Sequence, residues 1–272
     1  MNKNTIPNAL RSLPGVIQNG GSSPRFYEFD DGIARLVKWH PSPHGIRVCF
    51  NELVASRLAQ LLDVPLLRGC VVYVADVVIP ADQKQFAKEG FHFAVYRMKG
   101  SNYLHAKHHS VVCNPDSFPL AAAFLAWLQV ADQEGHNQFK QETEDPADPK
   151  NARYLYRLAD MGFIFGIGNA ANWTAATLGK SDGYTLPSHL ASKVTVDQIA
   201  AVISEIESLP EADIRQCFED IPDEWLVSSA DRAAAIEWTL AAVPKLKALI
   251  TKGNPALVFP APLAPGAVVP AP

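Results

Sequence analysis

Five places along the chain carry side chains whose types and spacing suit phosphate and metal chemistry. Lys38 ends the strand-like run Arg35-Leu36-Val37-Lys38-Trp39, and a lysine ammonium holds phosphate oxygens as a compact point charge. Glu52 lies in the next periodic segment, where its helical neighbours Val48, Ala55 and Ala59 are small enough to let another surface approach. Asp132 and Asn137 stand five residues apart in Ala131-Asp132-Gln133-Glu134-Gly135-His136-Asn137. That spacing suits a loop on which a carboxylate accepts a hydroxyl proton and an amide oxygen meets a metal. Asp160 precedes Met161-Gly162; a hard cation such as Mg2+ takes carboxylate oxygens, and the glycine lets the chain turn beside one. Gly20-Gly21-Ser22-Ser23 could lay backbone N–H groups along phosphates, although it is neither a Walker loop nor Gly-x-Gly-x-x-Gly.

Each place also has a plainer reading. Lys38 and Glu52, taken singly, read as solvated side chains on a strand and a helix. Asp-x4-Asn is a common chance spacing, Asp160 suits an ordinary turn, and the glycines suit a flexible one. His105, His108 and His109 lack carboxylate or cysteine partners at diagnostic spacing, which argues against zinc. No Gly-x-Ser-x-Gly elbow supports a serine hydrolase.

The elements that must position these residues fall into two groups. Phe26 to Phe29 and Ile33 to Trp39 flank Asp30-Asp31-Gly32, a hairpin signal. Residues 48 to 63 read as a helix, with Phe50, Leu53, Val54, Leu58, Leu61 and Leu62 at spacings of three and four and Pro65 beyond. Cys70 to Ile79 and Phe91 to Met98 are strand candidates. Lys99-Gly100-Ser101-Asn102 is a turn-prone hinge, after which Phe118 to Val130 reads as a buried helix. Residues 140 to 152 form an acidic, Pro-rich loop leading into a strand at Tyr154 to Leu158. From Thr195 the pattern is helical, with a long helix over 229 to 250. The tail from Asn254 carries six prolines in nineteen residues, a composition that favours extended chain.

A β-rich stretch over 1–98, a helical stretch over 99–252 and a Pro-rich tail over 253–272 therefore predict an α+β architecture of two lobes, with a ligand site in the seam. With 272 residues, 48% hydrophobic and 19% charged, the chain can bury a sizeable core. A net charge of −4 removes the electrostatic case for nucleic acid. No run reaches about 18 apolar residues, so no membrane span is expected. The N-terminal stretch lacks the apolar region of a signal peptide, and the four cysteines are scattered. Both point to a reducing, cytoplasmic setting.

The order of the signals is more informative than any one of them. A glycine turn, a strand lysine, a helix glutamate, a hinge, Asp-x4-Asn and Asp-x-Gly follow one another as in a kinase-type site. The stretch from Gly20-Gly21-Ser22 through Asp31-Gly32, Val37-Lys38 and Asn51-Glu52-Leu53-Val54-Ala55-Ser56-Arg57-Leu58-Ala59 to Leu62-Asp63-Val64-Pro65 resembles the N-terminal lobe of HipA-like kinases. Ile221-Pro222-Asp223-Glu224-Trp225 is similar to that family's C-terminal region. The resemblance, over roughly residues 12 to 250, implies a protein-kinase-like fold that uses ATP and Mg2+. It implies that Lys38 contacts the ATP phosphates, that Glu52 orients it, and that Gly21, Ser22 and Ser23 cover them. It also implies that backbone groups from Tyr96 through Met98 to Lys99 hold adenine, that Asp132 is the catalytic base, and that Asn137 and Asp160 ligate magnesium. The implied acceptor is a protein hydroxyl, and an antitoxin-like or regulatory partner is a further implication.

One departure stands out. Family members often carry Asp-Arg-His-x-x-Asn, whereas this chain has Asp132-Gln133-Glu134-Gly135-His136-Asn137. A pseudokinase or nucleotide-binding interaction module is therefore the alternative reading, and a small-molecule kinase a third.

Overall fold

The Asp31-Gly32 pair turns the chain as its residue types dictate. Gly32 takes φ +75°, and its amide donates to the Phe29 carbonyl at 2.9 Å. The strands it joins, β2 (Arg25–Phe29) and β3 (Ala34–Lys38), pair antiparallel. The computed structural model describes residues 1–16, 24–97, 101–103, 112–133, 137–143, 153–167, 171–180 and 186–259. Gly21, Ser22, Ser23, Met98, the hinge residues Lys99-Gly100, Glu134, the three histidines His105, His108 and His109, positions 144–152 and the tail from 260 lie outside the described residues.

β1 (Ala9–Val16), β4 (Gly69–Val74) and β5 (Gly90–Tyr96) complete a five-stranded antiparallel sheet in the order β1-β2-β3-β5-β4. The strand expected over Cys70 to Ile79 stops at Val74, and Asp76–Val78 is a short 3-10 turn instead. A bridge between Asn8 and Tyr73 brings the two sheet edges together. Side-chain alternation along the strands then sorts residues to two faces. Tyr27, Phe29, Val37, Trp39, Val72 and Ala94 pack on one face into a small core of their own. Val71, Phe93 and Val95 face the other way and join the main core.

That second face receives α1 (Val48–Leu61). Its apolar spacing is as expected, but the helix is buried nearly all round: Val48 through Ser56, Leu58 and Ala59 are all buried. A helix closed in on every side belongs between two layers. The sheet covers one side. Phe165, Trp173 and Phe218 cover Phe50 from the other, with ring centroids 6.5, 5.5 and 6.2 Å away. Burying Phe50, Leu53, Val54 and Leu58 stabilises the fold by about 1.5–3 kcal/mol each.

The second lobe is built on α2 (Ser117–Trp127), an Ala-rich helix with Ala121 through Trp127 at 0% exposure. Around it lie α3 (Ser188–Ala191), α4 (Val196–Ser208), α5 (Glu211–Gln216), α6 (Ser229–Ala242) and α7 (Leu246–Gly253). Thr195 and Gln198 close a reciprocal capping box at the start of α4. The single helix expected over 229 to 250 is two. Pro244 lacks the N–H that would continue the ladder, and the 3-10 turn Val243–Lys245 separates α6 from α7. A three-stranded sheet of β6 (Ser101–Tyr103), β7 (Gln138–Thr143) and β8 (Arg153–Leu158) completes the lobe. Positions 140 to 143, expected as loop, are strand. The architecture is α+β with an antiparallel β-rich lobe and a mainly helical one. Among the described residues no helix is long and apolar enough to cross a membrane.

Candidate functional site

Lys38 reaches the site because of strand alternation. Its neighbours Val37 and Trp39 turn into the small core, so Lys38 faces α1, opposite Phe93 in the register with β5. Glu52 projects from α1 toward it, and the ammonium pairs with Glu52 Oε1. Lys38 is 8% exposed and Glu52 3%, so the solvated reading of each fails. Sequence periodicity misjudged them for one reason: the side of α1 opposite its large apolar residues is covered too.

The third member arrives from the other lobe. Asp160, just beyond β8, places Oδ1 2.9 Å from Lys38 Nζ. One cation thus meets two carboxylates. Burial works against the lysine charge, but Asp160 and Glu52 more than offset it and hold the ammonium well above the usual lysine range. Burial pushes the Glu52 carboxyl up to about 7, against the pull of Lys38 and with added repulsion from Asp160. Burial also opposes ionisation of Asp160, yet the adjacent ammonium wins and holds this carboxyl below its ordinary range. Asp160 is the open member, with 42% of its side chain exposed.

The turn carrying Asp160 is not the one Asp-x-Gly suggests. The left-handed residue is Asp160 itself, at φ +60°, while Gly162 lies outside that region. A non-glycine residue held there costs on the order of 1–3 kcal/mol. A Cβ on Gly162 would make only ordinary contacts, 3.4 Å from Val48 Cγ1, 3.5 Å from Asp160 Oδ1 and 3.7 Å from Glu52 Oε1, so neither backbone conformation nor space demands the glycine. Buried carboxamides brace the turn from both sides. Gln133 Nε2 donates to the Ala159 and Asp160 carbonyls at 3.1 and 2.8 Å, and Asn51 Nδ2 donates to the Gly162 carbonyl at 2.6 Å.

Asp132 and Asn137 stand beside this turn because β7 and β8 pair with Gln138 opposite Leu158. The Ala159 amide donates to the Asn137 carbonyl at 3.0 Å. Asn137 Nδ2 donates to the Asp132 carbonyl at 2.6 Å, which fixes the amide orientation and leaves Oδ1 to face elsewhere. Asp132 also holds a left-handed backbone, at φ +59°. Lys38, Glu52, Asp132, Asn137 and Asp160 therefore gather at one seam, from β3, α1, the loop before β7 and the end of β8.

The other candidate positions are less defined. Gly21, Ser22, Ser23 and Met98 are outside the described residues. Tyr96 ends β5, is 40% exposed as a residue, and has the Arg35 guanidinium 4.8 Å from its ring centroid. Arg35 lies on the face of β3 opposite Lys38, so the Tyr96 ring points away from the seam. Its amide already donates to the Arg68 carbonyl at 3.1 Å.

No family model matches this sequence, and no curated protein matches it. Solved structures do. CtkA, a proinflammatory kinase of Helicobacter pylori, superimposes with a TM-score of 0.56 at 9% identity, over 92% of this chain and 97% of that one. Hydra Fam20, in a structure with sugar, gives 0.51 at 12% identity over 94% and 90%. The Golgi casein kinase with Mn and ADP bound gives 0.50 at 7% identity over 93% and 75%. The fold is protein-kinase-like. Identities this low establish the kinase-like fold and nothing finer, so what the site does rests on its own geometry.

Arg47 was not singled out in the sequence, and the buried, bracing roles of Asn51 and Gln133 were not foretold by the motifs that contain them. A polar side chain inside an apolar run is the only local signal, and Asn51, between Phe50 and Glu52 in a run otherwise apolar from Val48 to Ala55, carries it. Arg47 joins the lobes just before α1. It donates to Asp231 at 2.7 Å and to the carbonyls of Leu226 at 2.6 Å, Trp225 at 3.3 Å and Trp173 at 3.3 Å. The Ile221–Trp225 segment fastens the same junction, since Trp225 Nε1 donates to the Phe91 carbonyl at 2.8 Å.

Proposed function

We propose that this chain is an ATP- and Mg2+-dependent phosphotransferase of HipA-like type, acting on a protein hydroxyl. The observation that carries the reading is the convergence of Lys38, Glu52 and Asp160 from three elements and two lobes on one ammonium. One cation faces two carboxylates there, and the turn that carries the more exposed one is hydrogen-bonded through its backbone to Asn137, whose side-chain N–H group is committed to the Asp132 carbonyl. That donor set suits a hard divalent cation bound by a few oxygens. Asp160 and Asn137 would hold Mg2+, which supplies charge neutralisation on the transferring phosphoryl group.

The remaining work falls to the chain. Glu52 fixes the Lys38 ammonium, which would hold phosphate oxygens of a bound nucleotide. The resemblance assigns Gly21, Ser22 and Ser23 to the phosphates and backbone groups from Tyr96 to Met98 to the base; Gly21, Ser22, Ser23 and Met98 lie outside the described residues. Asp132 accepts the acceptor hydroxyl proton as the new bond forms. Positioning and charge account for most of the rate. Residues 1–98 form the nucleotide lobe and 99–252 the lobe with the catalytic loop and metal ligands, followed by the tail. Four unpaired cysteines support a cytoplasmic setting, and the resemblance to HipA-like kinases supports a regulatory partner.

Incubation with labelled ATP and Mg2+, followed by mass spectrometry of the chain and of host proteins, tests the reading. Asp132→Ala lowers transfer by about 100-fold or more and leaves ATP binding intact. Transfer at the wild-type level in that variant rejects Asp132 as the base. A nucleotide-binding module without turnover is the second reading. Its support is Gln133, which stands where a basic residue is usual and turns inward onto the Asp160 turn. Stabilisation by Mg2+-ATP with neither transfer nor hydrolysis favours it.

A further inference from the structure

Resting on that reading of Asp160, we infer that Gln133 and Asn51 are positioning residues that set the metal affinity of the site by clamping the Asp160 turn between two buried carboxamides. Three carbonyls of the turn, those of Ala159, Asp160 and Gly162, accept hydrogen bonds from these two side chains. Gln133 is 3% exposed and Asn51 0%, so water does not substitute for either donor.

The clamp is needed because Asp160 sits in the left-handed region at φ +60°. An L-residue held there relaxes toward ordinary backbone once its bonds are lost, and the carboxylate swings with it. Each carboxamide also reaches a second part of the machinery. Gln133 adjoins Asp132, so the loop of Asp132 and the turn of Asp160 move as one body. Asn51 adjoins Glu52 on α1, and its Oδ1 accepts from Trp173 Nε1 at 3.1 Å. Asn51 therefore ties the helix glutamate, the Asp160 turn and the segment after it into one register. A partner that holds a ligating carboxylate at a fixed angle commonly governs metal affinity tenfold to a hundredfold.

The test uses the full chain with Gln133→Met and Asn51→Leu. Methionine keeps the volume of Gln133 without its donor. Leucine keeps the volume of Asn51 and loses the donor to Gly162, together with the acceptor for Trp173, without adding a charge. Two readouts are taken: the Mg2+ concentration giving half-maximal ATP binding, set beside ATP binding in EDTA, and hydrogen exchange over residues 157–165 without nucleotide.

The clamp predicts a rise of about tenfold or more in half-saturating Mg2+ for both variants. Metal-free ATP affinity stays within about twofold, and exchange is faster over 157–165 while α4 is unchanged. A purely structural role moves metal-free binding and exchange in α4 as well, and that pattern overturns the inference. So does a Mg2+ dependence within about twofold of wild type. If the wild-type chain binds no nucleotide with Mg2+, the phosphotransferase reading falls by itself. Exchange then decides the clamp, and unchanged exchange over 157–165 in both variants overturns it.

Discussion

Arg47→Met cuts the tie between the lobes at its most concentrated point. The guanidinium is 4% exposed and holds four oxygens, with its centre 5.4 Å from the Trp173 ring centroid. Burial pulls its ionisation down while Asp231 supports it, so the pair is mutually dependent. Removing one member of a buried ion pair costs about 3–5 kcal/mol, because the other charge is left unpaired. Asp231 retains a bond from the Ala175 amide at 2.7 Å, which places the expected loss at about 3–4 kcal/mol. For a chain of this size that lowers the melting temperature by roughly 6–16 °C. Urea unfolding of the single variant and of Arg47→Met with Asp231→Asn measures it. The double variant recovers part of the loss, since asparagine keeps the Ala175 bond and removes the stranded charge. A single variant within about 1 kcal/mol of wild type, or a double variant less stable than the single, refutes the reasoning.

Two buried groups should impose opposite pH slopes on stability. Burial drives His92 down from 6.5 to about 4, with Nδ1 accepting from the His40 amide and Nε2 against the Lys88 carbonyl, both at 2.9 Å. Its contribution is present above pH 6.5 and is lost as pH falls toward 4, about 3 kcal/mol in all. The raised Glu52 carboxyl contributes fully below 4.5 and loses that contribution as pH rises through 7. His92→Gln should therefore make stability fall with pH between about 4.5 and 6.5, and Glu52→Gln should make it rise. Parallel curves for wild type and both variants in urea titrations count against the assignment. Lys38→Met should weaken ATP binding by tenfold or more on the order of one lost phosphate ion pair. Calorimetry showing undiminished affinity removes Lys38 from the site.

What the sequence made legible follows from how local each signal was. The β2–β3 hairpin was readable because Asp31-Gly32 fixes a turn by its own backbone preference. The apolar core of α1 was readable because its spacing is repeated over four turns. β7 was hidden: Gln138 to Thr143 has almost no apolar alternation, and only pairing with β8 and β6 makes it a strand. β1 was hidden because its pairing with β2 is irregular, with register shifts between Ala9 and Arg11 and between Ser12 and Val16. The break in the last long helix lies at Pro244, inside an apolar periodicity that continues on both sides of it.

Site residues divide along the same line. Residue type picked out Lys38, Glu52 and Asp160, and the structure brings them together, but nothing local foretold that Lys38 and Glu52 would be buried. Burial there depends on the far lobe packing over the small-residue side of α1. The turn at Asp160 was credited to Gly162, whereas the strained backbone belongs to the aspartate. The bracing roles of Gln133 and Asn51 were not legible because a carboxamide that bonds backbone carbonyls makes no demand on neighbouring sequence.

Calorimetric titration of the full chain with ATP, with and without Mg2+, beside Asp160→Ala, tests the central claim most directly. The account predicts Mg2+-dependent binding that Asp160→Ala weakens by tenfold or more, with the metal-free component retained. Equal affinity of wild type and Asp160→Ala for Mg2+-ATP, or no binding by the wild-type chain, contradicts it.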